Sequence, residues 1–393
     1  MRIESGRTRS LRIPLAVSAV LLGLGLAEPP PGRLRTVHQE LRSLERNRAD
    51  REAGAGGYYE DLISGGTRAD GSRSPIALRL LGKPTDILTF HDMKATHYID
   101  GDFLQFVLRP NIQCPAFDHV FTTNSLGLRD REGYSVAKPE GVFRIALLGS
   151  SMDMGWGVAT GETYENLLEN WLNHYAAKQG LERRFEVLNF AMAAYGPAQR
   201  LESYRRKATH FEPDLVLYSA TMLDPRLSQI HLCELFEQGG DPTYEFMHQV
   251  ITEIGLETSE LRRTPDGILR ARAVIKARLK PWLWSISDGA LGELAALCRS
   301  QGRALACLII PRVGLGDAPD ERAAAVARHK AIASQHAIPV IDLSATFDNE
   351  DPADLEIAPW DDHPNTLGHR LLFVGLAEAI VADKELSRLI FGP

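Results

Sequence analysis

Cysteine is scarce in this chain and never clustered. Cys114, Cys233, Cys298 and Cys307 form no Cys-x-x-Cys pair, which removes the usual ligand set of a structural zinc site. One or two disulfides in an exported chain and four buried free thiols both fit that count. A basic excess is lacking as well. Lys and Arg total 44 against 51 Asp and Glu, a net charge of −7, whereas a general nucleic-acid binder carries a basic footprint. The phosphate-cradling patterns GxGxxG and GxxxxGK[ST] do not occur, nor does HExxH or a carboxylate-rich calcium loop. The twelve histidines are dispersed, so neither a metal nor a cofactor is called for. No internal repeat is visible. What remains is an ordinary globular composition, 44% apolar and 24% charged over 393 residues, enough for one large domain or two average ones.

Only one run is apolar enough to concern a membrane. Arg2, Arg7, Arg9 and Arg12 precede an apolar stretch from Ile13 to Ala27, closed by Glu28 and Pro29–Pro31. A basic start, an apolar middle and small residues at the end make a secretory signal. The run is shorter than the ~20 residues that span a bilayer comfortably, so residues 1–28 are expected to be a cleaved signal peptide or a short membrane anchor through 13–27. Either places the body of the protein outside the cytoplasm, periplasmic or secreted.

Residues 29–57 read as a linker with a short helix over 33–50, where Leu34, Val37, Leu41 and Leu44 keep helical spacing. Residues 58–140 read as an irregular accessory region with strand-like runs at 103–108 and 119–122. From 141 to 385 the pattern is regular. Continuous apolar strands at 143–149, 185–191, 214–220, 304–311 and 339–344 alternate with helices at 161–177, 197–211, 286–302, 320–336 and 366–383. A long, partly helical insertion interrupts them at 224–285. Uninterrupted apolar strands between helices predict an α/β three-layer sandwich with a mainly parallel five-stranded sheet.

In such sheets ligands bind at the carboxyl ends of the strands. The first strand ends in Gly149-Ser150-Ser151, the second in Ala193-Ala194-Tyr195-Gly196 and the third in Thr221-Met222-Leu223-Asp224. The last loop is Pro359-Trp360-Asp361-Asp362-His363-Pro364-Asn365. A serine opening a helix beside backbone N–H groups, and a late histidine preceded by aspartate, supply a nucleophile, a base and an orienting carboxylate.

These residues resemble a known family. FRIALLGSSMDMGWGVATGETYENLLE (143–169), VLNFAMAAYGPAQ (187–199), PDLVLYSATMLD (213–224) and DDHPNTLGHRL (361–371) look like the four sequence blocks of the SGNH/GDSL hydrolases. LRPN (108–111) and TNSLGLRDRE (123–132) are similar to the lead-in of its exported or membrane-anchored bacterial members. The resemblance spans about 105–383 and implies a flavodoxin-like fold and a serine esterase without cofactor. It makes Ser151 the nucleophile, His363 the base and Asp361 its orienting partner. Asp362 is the fallback, because the family's commonest spacing puts the carboxylate three before the histidine, where Trp360 stands. The backbone N–H groups of Ser151 and Ala194 would form the oxyanion hole.

Three positions depart from the family pattern. Ser150 replaces the motif aspartate, and Ala194 replaces the second-block glycine. Leu223 stands where the third block has an oxyanion-stabilising asparagine. Thr221 and His231 are candidates to replace that donor, and Trp156 and Trp360 to line a sugar or acyl pocket. The expected substrate is a small-molecule or glycan ester, with O-acetyl glycans foremost. Acyl transfer to a sugar hydroxyl, and a catalytically degenerate glycan- or partner-binding protein, are the alternatives.

Overall fold

The computed structural model describes residues 95–255, 275–313, 319–358 and 361–392. The expected signal or anchor, the linker, residues 58–94 of the accessory region, Trp360 and part of the 224–285 insertion lie outside the described residues. The described part begins with two short antiparallel ladders. Strand β1 (Thr96–Tyr98) pairs with β2 (Phe106–Leu108), and β3 (Gln113–Ala116) with β4 (His119–Thr122). The expected strand at 103–108 is shorter because Gln105 takes a left-handed backbone.

The apolar runs of the following sequence become β5 (Val142–Leu148), β6 (Arg184–Asn189), β7 (Leu215–Ala220), β8 (Ala304–Ile309) and β9 (Val340–Asp342). They pair in the order β6-β5-β7-β8-β9, and every pairing is parallel. Numbered along the chain, the sheet strands lie 2-1-3-4-5, the flavodoxin-like order. The α/β sandwich expected from sequence is therefore the observed fold. Between β5 and β7 the connections leave in opposite directions, which opens a crevice at their carboxyl ends.

The helices are α1 (Ser151–Met154), α2 (Tyr164–Gln179), α3 (Pro197–Arg206), α4 (Asp224–Glu237), α5 (Glu245–Glu253), α6 (Leu283–Ser300), α7 (Pro319–Gln335), α8 (Pro352–Leu355), α9 (Thr366–Ala382) and α10 (Lys384–Phe391). Alternate strand residues face opposite layers. Ala146, Leu148, Val216 and Tyr218 pack with Leu201, Leu232, Leu291 and Leu294 of α3, α4 and α6. Ile145, Leu147, Leu215 and Leu217 pack with Leu168, Leu172, Leu372 and Leu376 of α2 and α9.

Several helix ends differ from the sequence reading, each for a local reason. The helix expected from 161 starts at Tyr164 because Thr163 is extended. The helix expected to reach 211 stops at Arg206, and a 3-10 turn over Ala208–Phe211 carries the chain to Pro213, which cannot continue a helix. The closing helix breaks at Asp383, whose carboxylate accepts from the N–H groups of Glu385 and Leu386 at 2.9 and 3.0 Å and starts α10. All four cysteines are free thiols, three of them buried, so the disulfide alternative is not realised. No helix among the described residues is long and apolar enough to cross a membrane.

One buried charge interrupts the apolar text of β5. The Arg144 guanidinium is fully buried and meets Glu186 of β6 through Nε at 2.9 Å and Nη2 at 2.6 Å. Its remaining N–H groups donate to the carbonyls of Phe211 at 2.7 Å and of Val136 and Ser135 at 3.0 Å. Arg144 thus ties the segment before the sheet to the sheet's first pairing. Removing one partner of such a pair leaves a charge without compensation. Glu186→Ala is expected to lower unfolding stability by about 3–5 kcal/mol, read as a reduced urea midpoint with an unchanged slope.

Candidate active site

The turn that carries Ser151 is built by Gly149 and Asp153. A side chain on Gly149 would meet the Asp153 carboxyl at 2.2–2.5 Å, so only glycine lets that carboxyl fold beneath the turn. Asp153 Oδ2 accepts from the Ser150 N–H at 2.8 Å and Oδ1 from the Tyr164 hydroxyl at 2.7 Å. This is the serine-x-x-acid spacing of a helix N-terminus, and it places Ser151 first in the single turn of α1. Burial holds the Asp153 carboxyl above the usual carboxylate range, against the lowering effect of its hydrogen bonds.

Asn189, at the end of β6, supports the turn from below. Its Nδ2 donates to the Asp153 carbonyl and to Glu165 Oε1, both at 3.0 Å, and its Oδ1 accepts from the Ala191 N–H at 3.0 Å. Glu165 also accepts from Asn166 at 2.7 Å and Thr163 at 2.7 Å. Beside it, Asp130 accepts from the N–H of Asn189 at 3.1 Å. Burial pushes Asp130 up to about 7 and Glu165 well above its ordinary value. The two acids therefore share a site that favours neutral carboxyl groups, which suits a cluster with no cation among the described residues bonded to either of them.

The last loop brings His363 to Ser151. β11 (Asp361–Pro364) pairs antiparallel with β10 (Glu356–Ala358). Residues two apart on a strand share a face, so Asp361 and His363 point the same way and Asp362 the other. His363 Nδ1 lies 2.5 Å from Asp361 Oδ1, and His363 Nε2 lies 2.7 Å from Ser151 Oγ. The carboxylate beside Nδ1 keeps the ring proton there and leaves Nε2 to accept the Ser151 hydroxyl. All three side chains are buried, so water screens none of these contacts.

Asp361 has a further donor. The Trp156 indole N–H reaches Asp361 Oδ2 at 3.2 Å, while the His363 backbone N–H reaches Oδ1, also at 3.2 Å. Trp156 is buried. Its ring is held edge-on by Phe117 at 5.9 Å and tilted against Phe121 at 6.2 Å, both from the β3–β4 hairpin. The sequence reading made Trp156 a pocket wall; its polar atom instead holds the acid.

Asp362, the fallback orienting residue, is ion-paired to Arg312 on the other face of β11. Thr221 Oγ1 accepts from the Leu223 N–H at 3.0 Å, so its oxygen caps the third-block turn. His231 lies in α4, with Nε2 bonded to the Phe103 carbonyl at 2.8 Å, and burial pushes its pKa down to about 4. It therefore ties the leading segment to the domain and does not replace the missing asparagine. Leu223 is buried and brings no polar atom. The functional groups missed in sequence were Asp153, Asn189 and Arg312. Only Asp153 had a readable signal, its spacing to Ser150.

Two backbone N–H groups stand out, those of Ser151 and Ala194. Neither makes a hydrogen bond with a described residue. Ala194 sits at φ +63°, in the left-handed region where an L-residue is strained. Among the described residues, Asp361, Asp362 and His363 are the trio whose donor atoms gather within 4.8 Å, as a metal ion would need. Arg312, Trp156 and Ser151 already engage those donors.

No protein-family model matches the sequence, and no curated protein does. Solved structures do resemble it at a distance. Axe2, an acetylxylan esterase from Geobacillus stearothermophilus, is 14% identical with TM-score 0.40, over 61% of this chain and 94% of that one. TesA is 14% identical with TM-score 0.39, over 62% and 99%. LAE5, an alpha/beta hydrolase enzyme from the metagenome of Lake Arreo, Spain, is 16% identical with TM-score 0.39, over 60% and 94%.

The strain at Ala194 has a measurable consequence. Glycine there removes the left-handed penalty of about 1–2 kcal/mol and adds roughly 0.5–1 kcal/mol of chain entropy. Ala194→Gly is therefore expected to stabilise the fold slightly in urea unfolding. A clear loss of stability would contradict the strained assignment.

Proposed function

We propose that this protein is a serine hydrolase of ester bonds, with Ser151 as nucleophile, His363 as general base and Asp361 as the group that orients it. The observation that carries this reading is the continuous buried hydrogen-bond chain from Trp156 through Asp361 and His363 to Ser151. In the first half-reaction Ser151 Oγ attacks the ester carbonyl carbon and His363 Nε2 takes the hydroxyl proton. The N–H groups of Ser151 and Ala194, unpaired within the described structure, suit the developing oxyanion. His363 then returns the proton to the leaving alcohol. Water, activated by the same ring, releases the acid and restores the serine.

The resemblance to SGNH/GDSL hydrolases supports the same assignment and suggests a substrate class, O-acyl esters of glycans. The basic and apolar start of the chain suggests that it works outside the cytoplasm, where such glycans lie. A second reading is favoured by Leu223. With no side-chain donor at that position, the hole has backbone groups alone, and losing one oxyanion donor typically costs roughly 100- to 1000-fold in rate. The second reading is a catalytically degenerate relative that binds its glycan without cleaving it.

A fluorophosphonate probe separates the two readings. The esterase reading expects stoichiometric covalent labelling and slow turnover of p-nitrophenyl acetate, both abolished in Ser151→Ala. A folded wild-type protein that takes no label would overturn it. The Trp156 contact yields a finer expectation. A hydrogen bond to a charged acceptor contributes about 1.5–3 kcal/mol, so Trp156→Phe should lower kcat roughly tenfold or more with KM nearly unchanged. An unaltered kcat would remove Trp156 from the positioning of Asp361.

A further inference from the structure

A cavity of about 230 Å³ lies between the leading segment and α3, lined by residues from β2, the 127–128 turn, the loop after β6 and the end of α3. Ser151, Asp361 and His363 are not among its walls. Leu104, Leu108, Leu128, Phe190 and Met192 make most of the surface apolar, and Lys207 is among the lining residues.

Lys207 Nζ donates to the Gly127 carbonyl at 3.0 Å. An ammonium has three donors, so this contact uses one of them. No carboxylate among the described residues forms an ion pair with Lys207. The neighbouring cation is different: Arg206 meets Asp102 at 2.7 Å and Glu202 at 2.5 Å, which cancels its charge locally. Lys207 is therefore the one uncompensated cation lining the cavity among the described residues. Burial without a counter-charge pushes its pKa down to about 8, so near neutral pH the amine is still mostly protonated.

We propose that this cavity binds a short aliphatic monocarboxylate, its chain against the Leu and Phe walls and its carboxylate on the remaining N–H groups of Lys207. The chemistry follows from the lining. An anion supplies the missing counter-charge and accepts charge-assisted hydrogen bonds. The apolar walls select a hydrocarbon body over a sugar. The volume lies below the ~300 Å³ at which drug-sized ligand pockets begin, which suits a single chain and excludes an oligosaccharide. The site stands whether or not Ser151 is a nucleophile.

The test is calorimetric titration of octanoate and of 1-octanol into the full chain carrying Ser151→Ala, so that no turnover or acylation intervenes. Octanoate should bind once per chain, and octanol, with the same chain but no charge, at least tenfold more weakly. Lys207→Met keeps the apolar stem and removes the ammonium; it should weaken octanoate at least tenfold and leave octanol within about twofold. The comparison of the two ligands uses Lys207 intact, so it decides the question even if Lys207→Met fails to fold. Absence of saturable octanoate binding, equal affinity for the two ligands, or undiminished octanoate binding by folded Lys207→Met would each overturn the proposal.

Discussion

A single hydrogen bond, from the Ser151 hydroxyl to His363 Nε2, joins residues 212 positions apart in the chain. The sheet makes this contact cheap. β5 occupies the inner position beside the strand-order reversal, so the turn at its carboxyl end faces the crevice. α9 then packs on the same layer as α2, and the loop leading into it passes over that crevice. Asn365 fixes where this loop ends, since its side chain accepts from the N–H groups of Leu367 and Gly368 at 2.9 and 3.2 Å. Displacement of β5 or α9 by an ångström would break a contact only 2.7 Å long.

Beneath that contact lies a set of polar groups that a purely apolar core would not contain. Asp153, Glu165 and Asp130 are all buried, and burying carboxyl groups is unfavourable unless they are hydrogen-bonded. Each accepts several donors, and Asn189 connects Glu165 to the Asp153 carbonyl. The raised pKa values of these acids make the neutral form available, which relieves the repulsion between neighbours. The Asn189 backbone N–H also donates to Asp130, a residue of the leading segment. The turn that carries Ser151 is therefore positioned partly by residues that precede the sheet.

The architecture was legible because its strands are uninterrupted apolar runs, and only a sheet covered on both faces buries both sides of such a run. Even Arg144 did not hide β5, since its neighbours remain apolar on either side. The pair Ser151 and His363 was legible from their places at strand ends. The choice between Asp361 and Asp362 was not, because it depends on β11 being extended, and a four-residue strand has too short a period to read in sequence. Trp156 could be placed near the site but not given its role. The direction of an indole N–H depends on packing by Phe117 and Phe121, which are far off in sequence. His231 could not be assigned from sequence for the same reason: its partner, the Phe103 carbonyl, lies 128 residues away.

The turns at the carboxyl ends of β5, β6 and β7 are held in three different ways. Ser150 itself carries no acid at the turn, yet Asp153 supplies a carboxylate three residues further on, reaching back to the Ser150 N–H. Ala194 keeps the left-handed backbone that a glycine would adopt freely, so the orientation of its N–H survives at the expense of strain. Leu223 has no such compensation. Its buried side chain fills the space with hydrocarbon, and the fully buried Arg200–Asp224 ion pair at 2.8 Å sets the following turn without offering a donor at Leu223 itself. The directions of the Ser151 and Ala194 backbone N–H groups depend on how rigidly their turns are held. Here that rigidity comes from Asp153 under one group and from the strained turn at the other.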